Sequence, residues 1–193
     1  MKDAILRKAR ESADVKARFI EENAEAIERC VHALADRFAS GGRLFVMGNG
    51  GSACDAAHVA VEFVHPILER RRPLPALALN VDAATLTAVG NDADFARVFE
   101  QQLDLLAVRG DAALGISTSG SSSNVNRALA CARRKGLLTI AFAGRDGGRV
   151  VDVAEHVLVV KSWSIHRIQE THTLLLHLLW DLVHVALGED DVL

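Results

Sequence analysis

The sequence predicts an α/β protein in which a five-stranded parallel sheet is covered by helices on both faces. Short apolar runs that suit buried strands alternate with segments whose apolar spacing suits helices. This alternation is typical of parallel sheets, because parallel strands are joined by helical crossovers. The chain has 193 residues, of which 50% are hydrophobic, so one domain with a sizeable core is expected. No linker or internal repeat divides it, and 1–193 is therefore predicted to be a single domain.

The first predicted element is a long amphipathic helix over about 2–39. Its apolar residues recur at spacings of three and four, as at Ile27, Val31, Leu34 and Phe38. This helix and the last one carry more apolar surface than one sheet face needs. The excess favours packing in an oligomer, and the simpler alternative is that both helices only cover the sheet.

The remaining elements follow in regular order. The predicted strands are 43–48, 76–79, 111–117, 137–144 and 156–160. The helices between them are predicted at 52–65 with Ser52 as N-cap, at 82–89, at 94–107 and at 123–135, with a turn at 90–92 and one helical turn at 150–154. A Leu-rich helix over about 164–187 ends the pattern.

Composition excludes several classes of protein. The formal charge of −3 lacks the basic excess of a dedicated nucleic-acid binder. No apolar run is long enough to span a membrane, and the charged N-terminus has no signal-peptide core. Three widely spaced cysteines, Cys30, Cys54 and Cys131, fit a cytoplasmic protein with reduced thiols.

Two polar, glycine-containing loops each follow a predicted strand and open a helix. They are GNGGS at 48–52 and STSGSSSN at 117–124. In parallel α/β sheets ligands bind at such strand ends, and a helix N-terminus offers free N–H groups to a phosphate. The alternative is that serine and glycine only form ordinary turns. Neither loop has the Walker A or GxGxxG pattern, so no nucleotide cofactor is expected.

His58 and Glu62 lie four residues apart on a predicted helix and therefore share one face. An imidazole and a carboxylate at this spacing suit either a divalent metal or a general base with its orienting partner. His177 lies in an apolar helix, where a buried structural histidine is the common alternative. Gln169 precedes it by eight residues, roughly 12 Å along a straight helix. Those two residues share one metal only if the helix bends or begins after Gln169, or if two chains contribute.

Five segments taken together resemble the phosphoheptose isomerases of the sugar isomerase (SIS) superfamily. They are GNGGSACDAAH (48–58), AVGND (88–92), ISTSGSSSNV (116–125), AGRDGG (143–148) and RIQETHTLLLH (167–177). Each is weak alone, but they occur in the family's order and with similar spacing across nearly the whole chain.

The resemblance implies a three-layer, doubly wound SIS fold with extra terminal helices, assembled as a homotetramer with sites between subunits. It implies conversion of sedoheptulose 7-phosphate to D-glycero-D-manno-heptose 7-phosphate, the first step of bacterial heptose synthesis for lipopolysaccharide. It also implies one zinc ion per subunit and a sugar-phosphate partner, without nucleic acid or membrane.

Residue roles follow from the same resemblance. Glu62 and His177 match the family's acid/base pair, and the zinc ligands would be His58, Glu62, Gln169 and His177. The substrate would be bound by Asn49, Gly50, Gly51, Ser52, Glu62, Asn91, Asp92, Ser117, Thr118, Ser119, Ser122 and Gln169. His166, His172 and His184 match no family site and are expected to be structural or surface residues.

The segment after Glu62 departs from the family. Members usually continue with Leu-Thr-Gly-Arg, whereas this chain continues with Phe-Val-His-Pro. The family's arginine, a plausible substrate contact, is therefore absent, and Arg70, Arg71 or Arg72 are candidates to replace it. His65 is a candidate site residue, although a structural role is the stronger expectation.

Two other functions stay open from the sequence. The segment at 74–89 resembles equally well a non-catalytic SIS relative that binds a replication initiator. That relative lacks the catalytic glutamate and histidine, whereas Glu62 and His177 are present here. A sugar-phosphate sensor would need the serine loop but neither of those two residues.

Overall fold

Five parallel strands form one sheet in the order β2-β1-β3-β4-β5 in this computed structural model, which describes residues 1–67 and 71–191. The strands are β1 (Leu44–Gly48), β2 (Ala76–Ala78), β3 (Ala112–Ser117), β4 (Leu138–Gly144) and β5 (His156–Val160). β1 and β3 pair from Leu44 opposite Ala112 to Gly48 opposite Ile116. The chain order reverses between β1 and β3, so the polar loops after these strands lie side by side.

Helices cover both faces of the sheet and confirm the predicted three-layer sandwich. They are α1 (Lys2–Ala39), α2 (Gly51–Val64), α3 (Ala83–Asp92), α4 (Glu100–Leu106), α5 (Ser123–Arg134) and α6 (Ile165–Ala186). α1, α2 and α6 share one core with the sheet, and α3, α4 and α5 share the other. β1 shows how the two cores divide, because Leu44 and Val46 face the first and Phe45 and Met47 face the second.

Three predicted local features are wrong. Gly50, at φ 56°, is the N-cap of α2, and Ser52 lies inside the first turn. Glycine adopts this left-handed conformation at little cost, so the helix begins earlier than a serine cap would allow. α3 continues to Asp92 and absorbs the predicted turn at 90–92. The predicted helix at 94–107 is divided into a 3-10 turn (Phe95–Arg97) and α4, where the capping side chain of Asp94 starts the first piece.

α2 and α6 place the candidate site. Both helices follow strands of a parallel sheet, so both begin at its carboxyl edge and run in the same direction. Gln169, near the start of α6, lies against Gly51 at the start of α2. Two turns further along, His177 lies against His58. The groove between these helices therefore leads from the carboxyl edge of the sheet to His58 and His177.

No helix among residues 1–67 and 71–191 has the length and apolarity that a membrane span requires. Cys30, Cys54 and Cys131 are free thiols, as the sequence predicts. Burial raises the pKa of the Cys30 thiol to about 12, so this thiol is an unreactive core group.

Candidate active site

The two polar loops meet at the carboxyl edge, where β1 and β3 end. The side-chain amides of Asn49 and Asn124 exchange two hydrogen bonds, each 2.9 Å long. Asn124 also accepts a bond from the N–H of Val125 and is almost fully buried. Asn124 was not predicted as a site residue, although it lies within the serine-rich motif. The amide pair fixes the distance between the loops.

The serine loop, defined as 117–122, is held in shape by its neighbours. The hydroxyls of Ser117 and Ser122 lie 3.0 Å apart and share a hydrogen bond. Gly120 has φ +63°, and a Cβ atom there would lie 1.8 Å from the carbonyl oxygen of Gly147. The N–H of Val150 donates to the Gly120 carbonyl at 2.9 Å. Because the AGRDGG segment packs this closely against the loop, only glycine fits at position 120.

This loop can bind an anion without a basic residue. Ser122 is the N-cap of α5, and its side chain makes no capping hydrogen bond. The N–H groups of Ser123 and Asn124 at the start of α5 are therefore available to a ligand. The hydroxyl protons of Thr118 and Ser119 can be donated to the same ligand. Thr118 and Ser119 are half-buried, at the boundary between protein and solvent.

Gly51 and Gln169 form the next part of the groove. A Cβ atom on Gly51 would lie 2.1 Å from Nε2 of Gln169, so the amide rests directly on the glycine backbone. Ser52 beside it is almost fully buried. Gly51, His58 and Glu62 are separated by seven and four residues, a spacing that aligns them along one face of α2.

Asn91 and Asp92 lie at the end of α3 and are exposed. The amide of Asn91 donates to Asp92 at 2.7 Å. Within the described chain, neither side chain bonds to the serine loop or to the α2–α6 groove. Both remain available to a ligand.

His58, Glu62 and His177 form a compact cluster in the groove. Nε2 of His58 lies 3.1 Å from Oε1 of Glu62 and 3.3 Å from Nε2 of His177. The two imidazole rings meet edge to face, with centroids 4.9 Å apart. The side chain of Glu62 is 22% exposed and that of His58 is 36% exposed, so the cluster is open to solvent. The structure thus brings His177 against His58 and Glu62, which lie more than 100 positions earlier in the sequence.

The cluster has the donor set of a zinc site. One atom from each of the three residues lies within 4.8 Å of the others. Two imidazole nitrogens and a carboxylate oxygen are zinc ligands, with bonds of about 2.0–2.2 Å that place tetrahedral donors about 3.3 Å apart. The two measured contacts of His58, 3.1 and 3.3 Å, are close to this spacing. The residues therefore fit the metal that the family implies.

Gln169 is not part of this cluster in a single chain. α6 is one continuous helix from Ile165 to Ala186, which separates Gln169 from His177 by roughly 12 Å along its axis. The helix is unbroken and the Gln169 amide lies against Gly51, two turns before His58, so Gln169 does not reach the cluster in its own chain. The option that remains for a shared metal is that two chains contribute.

The structure also places the residues that were expected to replace the missing arginine. Arg71 is buried and bonds to Asp181, and Arg72 pairs with Glu189 at 3.3 Å. Arg70 lies outside the described residues. His65 is exposed at the end of α2. Neither Arg71 nor Arg72 contacts the cluster.

The other C-terminal histidines divide by burial. His166 is exposed, as expected of a surface residue. His172 is fully buried beside Phe142 and lies 3.1 Å from the carbonyl oxygen of Ala143. Burial lowers the pKa of His172 to about 4, so its ring is neutral at pH 7. Burial also lowers the pKa of His184, an effect that the nearby Glu189 opposes.

Comparison with known proteins agrees with this geometry. The sequence profile of the SIS domain family matches residues 9–144. A phosphoheptose isomerase from Aquifex aeolicus is 46% identical over 180 residues, covering 93% of this chain and 94% of that protein. A phosphoheptose isomerase from Thermodesulfovibrio yellowstonii is 42% identical over 189 residues, covering 98% and 94%.

Solved structures give the same result. A phosphoheptose isomerase from Francisella tularensis superposes with a TM-score of 0.90 at 33% identity, covering 95% of this chain and 97% of that one. The enzyme from Neisseria gonorrhoeae gives a TM-score of 0.88 at 34% identity, covering 94% and 97%. The sugar isomerase domain of a transcription factor from Sphaerobacter thermophilus, at 19% identity and a TM-score of 0.67, shares the fold. The chain belongs to the SIS domain family and, within it, to the phosphoheptose isomerases.

Proposed function

We propose that this chain is an aldose–ketose isomerase that converts sedoheptulose 7-phosphate to D-glycero-D-manno-heptose 7-phosphate. The observation that carries the proposal is the meeting of His58, Glu62 and His177 in one groove. Non-catalytic binding of a sugar phosphate would need the serine loop but would not need this cluster. The cluster therefore favours an enzyme over an adaptor or a sensor.

The substrate is bound along the α2–α6 groove. The serine loop and the first N–H groups of α5 hold the phosphate through Ser117, Thr118, Ser119 and Ser122. From Gly51, where α2 begins, to His58 the helix rises roughly 10 Å, a distance comparable to the reach of an extended seven-carbon chain. Ser52 also contacts the phosphate. Sugar hydroxyls are contacted by Asn49, Gly50, Gly51, Asn91, Asp92 and Gln169.

Glu62 and His177 carry the proton transfers. Glu62 takes a proton from C1 of the ketose, which leaves an enediolate across C1 and C2, and then returns it to C2. His177 gives a proton to the oxygen on C2 and accepts one from the oxygen on C1, so the carbonyl moves to C1. His58 lies beside both residues and orients them.

Zinc is the metal we propose for the cluster, one per subunit. His58, Glu62 and His177 would hold it, and it would supply a Lewis acid for the carbonyl oxygen when bound. Glu62 would then be both a ligand and the base. Because Gln169 is remote from His177 in its own chain, we propose that Gln169 of a neighbouring subunit completes the ligand set.

A homotetramer with shared sites is therefore part of the proposal. An apolar groove between α1 and α6 supports it, because such surface is covered in an oligomer. Residues lining this groove include Ile20, Ala24, Ile27, Leu178, Leu182 and Val185. α1 thus packs against the sheet on one side and, in the proposed tetramer, against a neighbouring subunit on the other.

Turnover of ketose phosphates by the purified protein tests this proposal. We expect sedoheptulose 7-phosphate to be the preferred substrate and Glu62→Gln to lower kcat by roughly 10²- to 10⁴-fold, the usual contribution of a general base. Glu25→Gln, a change at an exposed residue of α1, is the matched control and is expected to leave kcat unchanged. Binding of the sugar phosphate without turnover would instead identify a sensor.

The metal is tested separately. We expect the purified protein to contain zinc and the rate to fall when a chelator removes it. His58→Ala should lower the zinc content at unchanged protein stability, because His58 is half-buried and lies outside both cores. Full activity in zinc-free protein would contradict the metal assignment. The turnover of ketose phosphates would still test the isomerase assignment.

A further inference from the structure

Arg71 lies in the connector 71–75, which follows the segment that departs from the phosphoheptose isomerase pattern, and it is buried although it belongs to a run of arginines. Its side chain is 2% exposed. Nη1 donates to the carbonyl oxygen of Asp181 at 2.9 Å, and Nη2 donates to the carboxylate of the same residue. The guanidinium also lies 5.2 Å from the ring centroid of Trp180. A charge buried this deeply needs such partners.

We propose that Arg71 is a positioning residue of the active site, which locks α6 against α2 so that His177 meets His58 and Glu62. The inference rests on the proposed function, because it assigns the connector a role in building that cluster. Arg71 does not touch the substrate. It acts through Asp181, which lies one helical turn after His177 on α6.

The connector that contains Arg71 is fixed to both helices. The N–H of Leu74 donates to the carbonyl oxygen of Phe63 at 2.7 Å, which ties the connector to the last turn of α2 directly after Glu62. Three residues earlier, Arg71 bonds to α6. The two helices that carry the cluster are therefore joined through one short segment.

Groups around the ion pair restrict its movement. Nη2 of Arg71 also lies 3.3 Å from the carbonyl oxygen of Asp190, beyond the end of α6. Glu189 next to it accepts from Arg72 at 3.3 Å and lies 3.0 Å from Nδ1 of His184. The His184 ring packs between Phe63 of α2 and Trp180 of α6, at centroid distances of 6.3 and 5.4 Å.

A buried ion pair suits a positioning role. A shift of α6 by a fraction of a turn would leave Asp181 and Arg71 without partners inside the protein, which is strongly unfavourable. Apolar contacts between the same helices would tolerate small sliding more easily, because they are not directional. Metal ligands need placement to within about 0.5 Å. The directional ion pair between Arg71 and Asp181, one turn after His177, helps to hold His177 in place.

Zinc affinity and the contact between His58 and His177 test the positioning role of Arg71. Arg71→Met removes the charge and keeps the aliphatic stem, and Asp181→Asn keeps the side-chain volume. We expect each to weaken zinc binding roughly 10- to 100-fold, as is usual for residues that support metal ligands, and to lower kcat more than it raises KM. In metal-free protein, the NOE between the rings of His58 and His177 should weaken as well.

Arg43→Met is the matched control. Arg43 forms an ion pair with the buried Asp111 at 2.8 Å, at the start of β1 and β3 and away from the groove. We expect it to lower the Tm without changing zinc affinity or the NOE. Equal zinc affinity and an undiminished NOE in Arg71→Met would overturn the inference, as would an equal loss of zinc affinity in Arg43→Met.

The two proposals fail in different ways. If the wild-type protein binds no zinc, the metal assignment fails, while the NOE between His58 and His177 still decides the role of Arg71. If Arg71→Met does not fold, Asp181→Asn decides it, because that variant keeps the backbone carbonyl that accepts from Arg71.

Discussion

Single residues in this protein owe their properties to burial more than to residue type. His172 and His177 lie five positions apart on α6, yet one is fully buried and the other is exposed in the groove. His172 is a neutral ring whose Nε2–H donates to the carbonyl oxygen of Ala143. His177 has a histidine and a nearby carboxylate as neighbours and can exchange protons with solvent or substrate. The same side chain thus serves structure at one position and chemistry at the other.

His172 predicts that the folded state loses stability in acid. Its pKa falls to about 4 in the folded state, whereas an unfolded histidine titrates near 6.5. Between these values the unfolded chain binds a proton that the folded chain does not, so the free energy of unfolding falls as pH drops from about 6.5 to 4, by roughly 3 kcal/mol in all. Urea denaturation at pH 7 and pH 4.5 measures this loss. His172→Gln, which keeps a donor for Ala143, should show a shallower pH dependence, and an unchanged slope would contradict the assignment.

Gly51 predicts an effect on substrate binding. In Gly51→Ala the new methyl group would lie 2.1 Å from the Gln169 amide, which must move away. We expect KM for the sugar phosphate to rise, because Gln169 is a proposed substrate contact. We expect kcat to fall as well, because Gln169 is also the proposed zinc ligand of a neighbouring subunit. Steady-state kinetics measure both constants. No change in either constant would contradict both proposed roles of Gln169.

At the scale of elements, close approach of helices to strands decides where small residues are needed. Gly115 in the middle of β3 faces α5, and a Cβ atom there would lie 2.6 Å from a methyl group of Val125 and 2.8 Å from one of Leu129. Because α5 starts at the serine loop, its distance from β3 also sets the position of the phosphate-binding N–H groups. Packing therefore requires glycine at position 115, and this packing also positions the phosphate-binding end of α5.

Gly115→Val is expected to destabilise the fold by about 1–3 kcal/mol, the usual cost of overpacking a core. Gly90→Ala, inside α3, is the matched control, since a Cβ atom there meets its nearest neighbour at 3.5 Å. That change should be neutral or stabilise the helix by roughly 0.5–1 kcal/mol. Thermal or urea denaturation compares the two variants. Equal stability of Gly115→Val and the wild type would show that α5 moves away from the sheet freely.

At the scale of the whole molecule, one chain presents an incomplete set of proposed ligands and an apolar groove that has no covering within the described residues. Gln169 and His177 lie at different ends of the α2–α6 groove, and the α1–α6 surface is exposed. Both features have the same explanation if subunits share sites. The assembly is then required for activity and not only for stability.

Mixing two inactive variants tests shared sites. If Glu62 of one chain works with Gln169 of another, subunits of Glu62→Gln and Gln169→Ala form some sites in which both residues are intact. Random exchange should restore up to about a quarter of the wild-type activity, since each of the two chains at a site is the correct one half of the time. Activity after refolding the mixture measures this fraction. No recovery, with exchange shown by mass spectrometry, would place each site within one chain.

The sequence by itself determined the layers of the fold, because alternating apolar runs and helical periodicity leave few arrangements other than a covered parallel sheet. It also determined the two polar loops, since each follows a strand and opens a helix. Only the tertiary structure decided that Glu62 faces His177, because the parallel course of α2 and α6 brings together residues more than 100 positions apart. The structure also decided that Arg71 is buried and that Gly50 is the N-cap of α2. Charge and residue type do not reveal burial, which depends on contacts between distant parts of the chain.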